Sequence, residues 1–325
     1  MPVLNEENYL ESAVSAILNQ GYPGNLHVVL AIGPSADRTQ EVADRLAAND
    51  SRVTTVANPT GRTPEGLNLA IEATTEEIIV RVDAHCELSP GYITTAIETL
   101  ERTGADNVGG IMGAVGVTPF EKAVAAAMTS PLGVGSAAFH TGGKEGPAET
   151  VYLGVFRRSA LQRVGGYDPA FTRAQDWEMN FRIRHTGGVV WFNPKLFVTY
   201  RPRPSIRKLA KQYFQYGSWR HEVMRRHPET RKGKSALRYF APPTAVVGVV
   251  AGTALGLLGG ALQSFPLTFW GFLAPIGYVA LTIGSSLSLV KRARGGAVWL
   301  PVALATMQMS WGVGFLTSTN KETSE

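Results

Sequence analysis

The chain has 325 residues, enough for one large domain or two modest ones with a sizeable core. Its net charge of +5 is unevenly placed: Arg201 to Arg238 holds 12 Lys and Arg against Glu222 and Glu229, which leaves the remainder acidic. A single cysteine, Cys86, excludes an internal disulfide and any multi-cysteine metal site, and it fits a reducing compartment.

Pro2 to Leu4 reads as a first strand, very short, and the opening lacks a basic region followed by an apolar run, so no secretory signal peptide is expected. After Asn5, Leu10, Val14, Ile17 and Leu18 share one helical face. Strands are predicted at Leu26 to Ile32, Val53 to Ala57, Ile78 to Val82, Asn107 to Met112, Thr150 to Phe156 and Val189 to Phe192. Helix-period segments fill the gaps, with Thr63 as an N-cap before Pro64 and another helix opening at Pro90. The alternation predicts an α/β domain on a mainly parallel sheet. Gly133 to Gly146 is glycine-rich without the strand, glycine and helix order of a dinucleotide fingerprint, and reads as a mobile loop over an acceptor site.

Near Ser205 a helix opens whose Tyr213, Gln215, Tyr216, Gly217, Trp219 and Arg220 suit a lipid headgroup region. Beyond it, Ala241 to Thr317 carries only Lys291, Arg292 and Arg294 as charges. Three apolar stretches lie there, Ala241 to Leu262, Phe265 to Val290 and Gly295 to Thr317, each long enough for the about 20 residues of a spanning helix. Gly248, Gly252, Gly256, Gly259 and Gly260 would weaken a soluble helix but let membrane helices approach closely. The positive-inside rule puts both basic segments in the cytoplasm, which with three spans leaves Asn320 to Glu325 outside. The expected plan is an α/β domain over 1–204, an interfacial segment over 205–240, a membrane region over 241–318 and a polar tail over 319–325, a multi-pass cell-membrane protein. A basic stretch at such a position favours anionic lipid or a phosphate-bearing lipid as partner over nucleic acid.

The most informative segment is the apolar strand Ile78 to Val82 running into Asp83, Ala84, His85 and Cys86. Ligands of open α/β sheets bind beyond the carboxyl ends of strands. Asp83 and His85 alternate by two, so an extended backbone could aim both at one divalent cation; Asp83 could equally cap a turn. Asp176 and Glu178 open a helix, where the dipole favours acids for structural reasons, or one of them could serve as a general base. His27, His140, His185, His221 and His227 are isolated and read as structural or solvated.

These features, with Pro2 to Glu7, Ser35, Asp37 and Thr39, Asn58 to Asn68, and the GVFRR and GGYDPAF runs between Gly154 and Phe171, resemble family-2 glycosyltransferases of the GT-A fold, a Rossmann-like nucleotide-sugar-binding domain. Within that family the chain is similar to exopolysaccharide-type (succinoglycan) enzymes, whose metal motif also reads Asp-Ala-His. The resemblance implies that Pro2, Glu6, Asp37, Arg62 and Asn68 border the nucleotide, that Asp83, Ala84 and His85 meet the metal and pyrophosphate, and that Asp176 is the base. It implies a nucleotide-sugar donor, Mg²⁺ or Mn²⁺, an inverting displacement, and a polyprenyl-phosphate-linked or glycolipid acceptor. Two departures stand out: Ile32 and Gly33 occupy the place of an adjacent aspartate pair, and Gln215 to Arg220 only loosely echoes the QxxRW element of processive relatives, which favours single-sugar transfer. A nucleotidyltransferase and a degenerate membrane scaffold are the competing readings.

Overall fold

The computed structural model describes residues 1–135, 137–231 and 237–318. The chain begins β1 (Pro2–Val3), α1 (Leu10–Leu18), β2 (Val28–Ile32), α2 (Thr39–Asn49), β3 (Val53–Ala57), α3 (Thr63–Glu72), β4 (Ile78–Val80), β5 (Glu87–Leu88), α4 (Tyr92–Thr103) and β6 (Asn107–Ala114). It continues α5 (Pro119–Met128), α6 (Pro131–Val134), α7 (Ala138–Thr141), β7 (Gly146–Pro147), β8 (Tyr152–Arg157), α8 (Arg158–Val164), α9 (Gln175–His185) and β9 (Val190–Tyr200). Last come α10 (Ile206–Arg226), α11 (Leu237–Ala261), α12 (Phe265–Leu289) and α13 (Leu300–Leu316). Two compact units result, Met1–Gly113 with Ala137–Tyr200, and Ala114–Ser136 with Arg201–Glu325.

In the first unit β1, β2 and β3 pair in parallel, with Pro2 opposite Ala31 and Val28 opposite Val53. Every residue of β2 is buried, as a near-continuous apolar run demands of a central strand. Leu10, Ala13, Val14 and Ile17 turn one face of α1 into the same core. The mainly parallel sheet expected from the alternation stops there. The second sheet runs β4-β8-β6-β9-β5 with β7 on β9, and β4–β8, β6–β8, β5–β9 and β7–β9 are all antiparallel. Strand periodicity is blind to direction, and β8 and β9 return from far along the chain to pair with earlier strands. The predicted last strand ended at Phe192, whereas β9 runs on through Pro194 to Tyr200. Thr63 is the first residue of α3 and Arg62 its N-cap, one position before expectation. The Gly133 to Gly146 segment, expected as a loop, holds the end of α6 and all of α7.

In the second unit α11 and α12 form an antiparallel hairpin. A Cβ on Gly252 would come 2.6 Å from the Gly271 carbonyl, and one on Gly259 would come 2.4 Å from the Thr268 nitrogen, so these glycines set the separation of the two backbones. Arg238–Ala261 and Phe265–Leu289 have mean hydropathies of 1.8 and 1.6 and are long and apolar enough to cross a membrane.

The third expected stretch holds a shorter helix. Residues 290–296 precede a short 3₁₀ turn, Ala297–Trp299, and α13 is 17 residues long, about 25 Å at 1.5 Å per residue against a hydrocarbon core of about 30 Å. Its last turns return to the first turns of α11: Trp311 stacks on Tyr239, and Gly312 lies against the Pro242 carbonyl. Because α11 and α12 are antiparallel, the start of α11 and the end of α12 share one end of the hairpin, and the last turns of α13 meet the start of α11 there, while Trp299 at its other end packs edge-on against Phe120 of α5. Gly217 and Gly314 seat α13 on α10, where added Cβ atoms would fall 1.9 Å from the Trp311 carbonyl and 2.1 Å from the Phe214 carbonyl. The Ser218 hydroxyl donates to the Gly314 carbonyl at 3.0 Å. The Gln215 to Arg220 stretch therefore supplies small residues for a helix crossing. The expected tail, 319–325, lies outside the described residues.

Candidate active site

The loops after β1 and β2 are laced together. Asn5, at φ 56°, donates its N–H to Ser35 Oγ at 3.0 Å and accepts from the Ala36 N–H through Oδ1 at 2.7 Å. The Glu6 N–H donates to Thr39 Oγ1 at 2.7 Å and the Glu7 N–H to Asp37 Oδ2 at 3.3 Å. Asp37 Oδ1 also accepts from the Thr39 hydroxyl at 2.5 Å, which holds its pKa below the usual carboxylate value. Asp37 thus closes the two-loop turn at the entrance of α2.

The first of these loops delivers Glu6 to the end of β4, where its Oε1 lies 2.9 Å from His85 Nδ1. Ligand atoms of Asp83, His85 and Cys86 all lie within 4.8 Å of one another, and no other such group of three occurs among the described residues. Burial pushes the Cys86 thiol up to about 12, with the Asp83 charge adding, and Cys86 Sγ sits 3.2 Å from the Tyr152 hydroxyl. A soft sulfur suits Mg²⁺ or Mn²⁺ poorly, whereas the hard oxygen of Asp83 with the imidazole of His85 is a donor pair that suits either ion. The Glu6 contact orients the imidazole ring. Ala84, between Asp83 and His85 in sequence, is buried.

Asp176 reaches the same place from α9. Asn180 ties that helix to the sheet by accepting from Asn107 Nδ2 at 2.6 Å and donating to Thr150 Oγ1 at 2.9 Å. Ala174, just before the helix, adopts a left-handed backbone at φ 59°, a conformation costly to a residue with a Cβ and characteristic of functional turns. Asp176 and Glu178, equivalent in sequence, separate in space. Glu178 is buried and takes both of its oxygens to Arg182, at 2.6 and 2.7 Å. Asp176 instead accepts from Nη1 of Arg81.

Arg81 is the residue that the motif reading missed. It is 4% exposed, donates through Nε and Nη2 to Asp83 Oδ1 at 3.2 Å each, and holds Asp176 with its remaining arm. The signal was present: an arginine inside the apolar run IIVRV must find carboxylates, because an unpaired buried guanidinium is prohibitively costly. Burial pushes the Asp176 carboxyl up to about 6, against the lowering pull of Arg81 and with a further push from the Asp83 charge.

Other expected nucleotide contacts are placed less directly. Asn68 spends its amide on the Tyr167 backbone, donating to the carbonyl and accepting from the N–H at 2.8 Å each. Arg62 pairs with Glu65 at 2.6 Å. Pro2 lies in β1, and a Cβ on Gly66 of α3 would come 3.4 Å from its Cβ.

At Gly33, one of the two positions of the missing aspartate pair, a side chain meets steric conflict. A Cβ on Gly33 would lie 2.9 Å from Gly61 Cα and 3.0 Å from Leu4 Cδ1. Gly33→Asp is therefore expected to lower stability by about 1–3 kcal/mol through overpacking, without gain in nucleotide affinity. Denaturant melts beside nucleotide titrations check this; a stable variant with tighter binding would contradict it.

The family model described as Glycosyl transferase family 2 matches residues 1–165. The succinoglycan biosynthesis protein ExoA of Rhizobium meliloti (strain 1021) is 31% identical over 320 residues, covering 97% of this chain and 92% of that protein. A Methanococcus voltae enzyme named as a dolichyl N-acetyl-alpha-D-glucosaminyl phosphate 3-beta-D-2,3-diacetamido-2,3-dideoxy-beta-D-glucuronosyltransferase is 25% identical over 228 residues, 67% of this chain and 70% of its own length. Among solved structures, a mannosyltransferase of Pyrobaculum calidifontis in complex with GDP-Man and Mn²⁺ superposes with a TM-score of 0.61 at 20% identity, covering 98% of this chain and 86% of that one. That likeness shows the GT-A fold.

Proposed function

The chain belongs to glycosyltransferase family 2, and from that premise we propose that it moves one sugar from a nucleotide-sugar donor to a lipid-linked acceptor at the membrane, in the assembly of a cell-surface polysaccharide or glycolipid. The observation that carries the chemistry is the convergence of Asp83, His85 and Asp176 at the end of β4. Asp83 and His85 hold a divalent cation, Mg²⁺ or Mn²⁺, which when bound neutralises the charge that develops on the departing nucleoside diphosphate. Asp176 takes the proton of the acceptor hydroxyl as its oxygen attacks the anomeric carbon, and a single displacement of this kind inverts the configuration.

A base has work only where the nucleophile carries a proton. Asp176 therefore favours an acceptor that attacks through a sugar hydroxyl, a polyprenyl-phosphate- or diphosphate-linked glycan, over a bare lipid phosphate that is already ionised. The Methanococcus voltae relative, whose name specifies a dolichyl-linked sugar as acceptor, supports this choice. With a labelled donor and a membrane-lipid extract, label is expected in the organic phase and should be released to water by mild acid. Label confined to water-soluble glycan would reject the lipid acceptor, and pyrophosphate as the released product would favour a nucleotidyltransferase.

The membrane arrangement that follows has two crossings, α11 and α12, with the basic segments Arg201 to Arg238 and Lys291 to Arg294 on the cytoplasmic side. Both ends of α13 then face the cytoplasm. A fluorescent-protein fusion after Ser318 is expected to fluoresce and a phosphatase fusion there to be inactive, while a phosphatase inserted at Gln263–Ser264 should be active. An active phosphatase after Ser318 would restore the three-span arrangement.

A further inference from the structure

We propose that Arg81 is a positioning residue that occupies one oxygen of each functional carboxylate and leaves the other oxygen of each to its task. The inference rests on the glycosyltransferase reading above. Arg81 sits where the end of β4 approaches the first turn of α9, and its backbone N–H donates to the Gly154 carbonyl on the neighbouring strand at 3.1 Å, which fixes the root of the side chain. The guanidinium is planar and its donors diverge in a rigid fork. One edge, Nε with Nη2, takes Asp83 Oδ1; the other arm, Nη1, takes Asp176 Oδ1.

Among the described residues neither Asp83 nor Asp176 uses Oδ2 in a hydrogen bond. Asp83 Oδ2 is thereby left for a cation and Asp176 Oδ2 for the acceptor hydroxyl. The separation of the two oxygens is set by one rigid group, with the Tyr167 ring 5.8 Å from its centre restricting its tilt. Without the guanidinium, two neighbouring carboxylates would repel and rotate apart, and the acceptor hydroxyl would lose its line toward the anomeric carbon. A lysine cannot substitute, because its ammonium is a point charge that does not present two diverging edges.

A purely structural ion cluster would behave differently. If Arg81 only balanced charge in the core, Arg81→Lys would restore function, and loss in Arg81→Ala would track loss of folding. Arg81 and Tyr167 are among the residues lining a cavity of about 420 Å³ beside β4.

The test uses the full-length protein in detergent, with nucleoside diphosphate release, donor affinity by calorimetry in Mn²⁺, and melting temperature measured for wild type, Arg81→Ala and Arg81→Lys. Both variants are expected to lose about 10²-fold or more in kcat, as misplacement of reacting groups by about 1 Å does. Both should retain donor binding, and Arg81→Lys should melt near wild type. Guanidinium ion at concentrations far below those that denature is expected to recover activity in Arg81→Ala. An active wild type with a fully active Arg81→Lys, or a folded Arg81→Ala that guanidinium does not rescue, would overturn the positioning role. A wild type that binds no donor and releases no nucleotide would overturn the glycosyltransferase reading itself.

Discussion

Asp176→Asn is expected to lower kcat by roughly 10³-fold, within the range for loss of a general base, while donor binding stays near wild type. Asparagine keeps an oxygen for the Arg81 guanidinium, so the ion cluster loses one charge without losing its geometry. Rate against pH supplies the second arm. The base must be ionised, and its carboxyl is pushed up to about 6, so wild-type kcat should fall as pH drops through that value. A cation on Asp83 cancels one of the causes of the rise, which places the acid limb at or below 6. The linkage to stability has the opposite sense: a carboxyl whose pKa is raised on folding binds its proton more tightly in the folded state. Its favourable contribution is present at low pH and is lost as pH rises through 6. Activity and stability should therefore diverge across that window. An Asp176→Asn enzyme with wild-type kcat would remove the base from the mechanism.

The second large effect is expected at the metal motif. Asp83→Ala should abolish Mn²⁺- or Mg²⁺-dependent donor binding and drop kcat/KM by about 10²-fold or more, since in the proposed mechanism this carboxylate holds the cation. His85→Ala should cost less, about 10-fold, and shift the metal concentration needed for half-maximal rate. Glu6 stands behind His85 at 2.9 Å, and its removal should resemble a weakened His85. Calorimetric titration of Mn²⁺ with nucleoside diphosphate separates these arms. Unaltered metal-dependent binding in Asp83→Ala would place the cation elsewhere.

Much of the first unit was legible because its signals are local. The buried apolar run of β2, the helical face of α1 and the Asp83-Ala84-His85 end of β4 declare themselves within a few residues. Strand direction was not legible, since β4 pairs with β8 across some 75 positions and alternation carries no sign for parallel or antiparallel. Asp176 and Glu178 looked interchangeable because both sit in a first helical turn; their separation depends on Arg182 one turn on and Arg81 on another element. Arg81 was overlooked because attention to a motif stops at the motif's own letters, although a cation in an apolar strand is itself a demand for partners. The third apolar stretch holds a shorter helix, α13, than the 23 positions from Gly295 to Thr317 led one to expect. Composition could not reveal that Gly217 and Gly314 would draw α13 back along α10.

The central claim is tested most directly by nucleoside diphosphate release from detergent-purified protein, with Mn²⁺ or Mg²⁺, a panel of nucleotide sugars and a membrane-lipid extract, beside Asp83→Ala and Asp176→Ala. Release selective for one donor, dependent on metal and lost in both variants, is the expected result. Silence of wild type and variants alike, in an extract shown to support a related transferase, would contradict the account and favour a membrane scaffold that keeps the fold without the reaction.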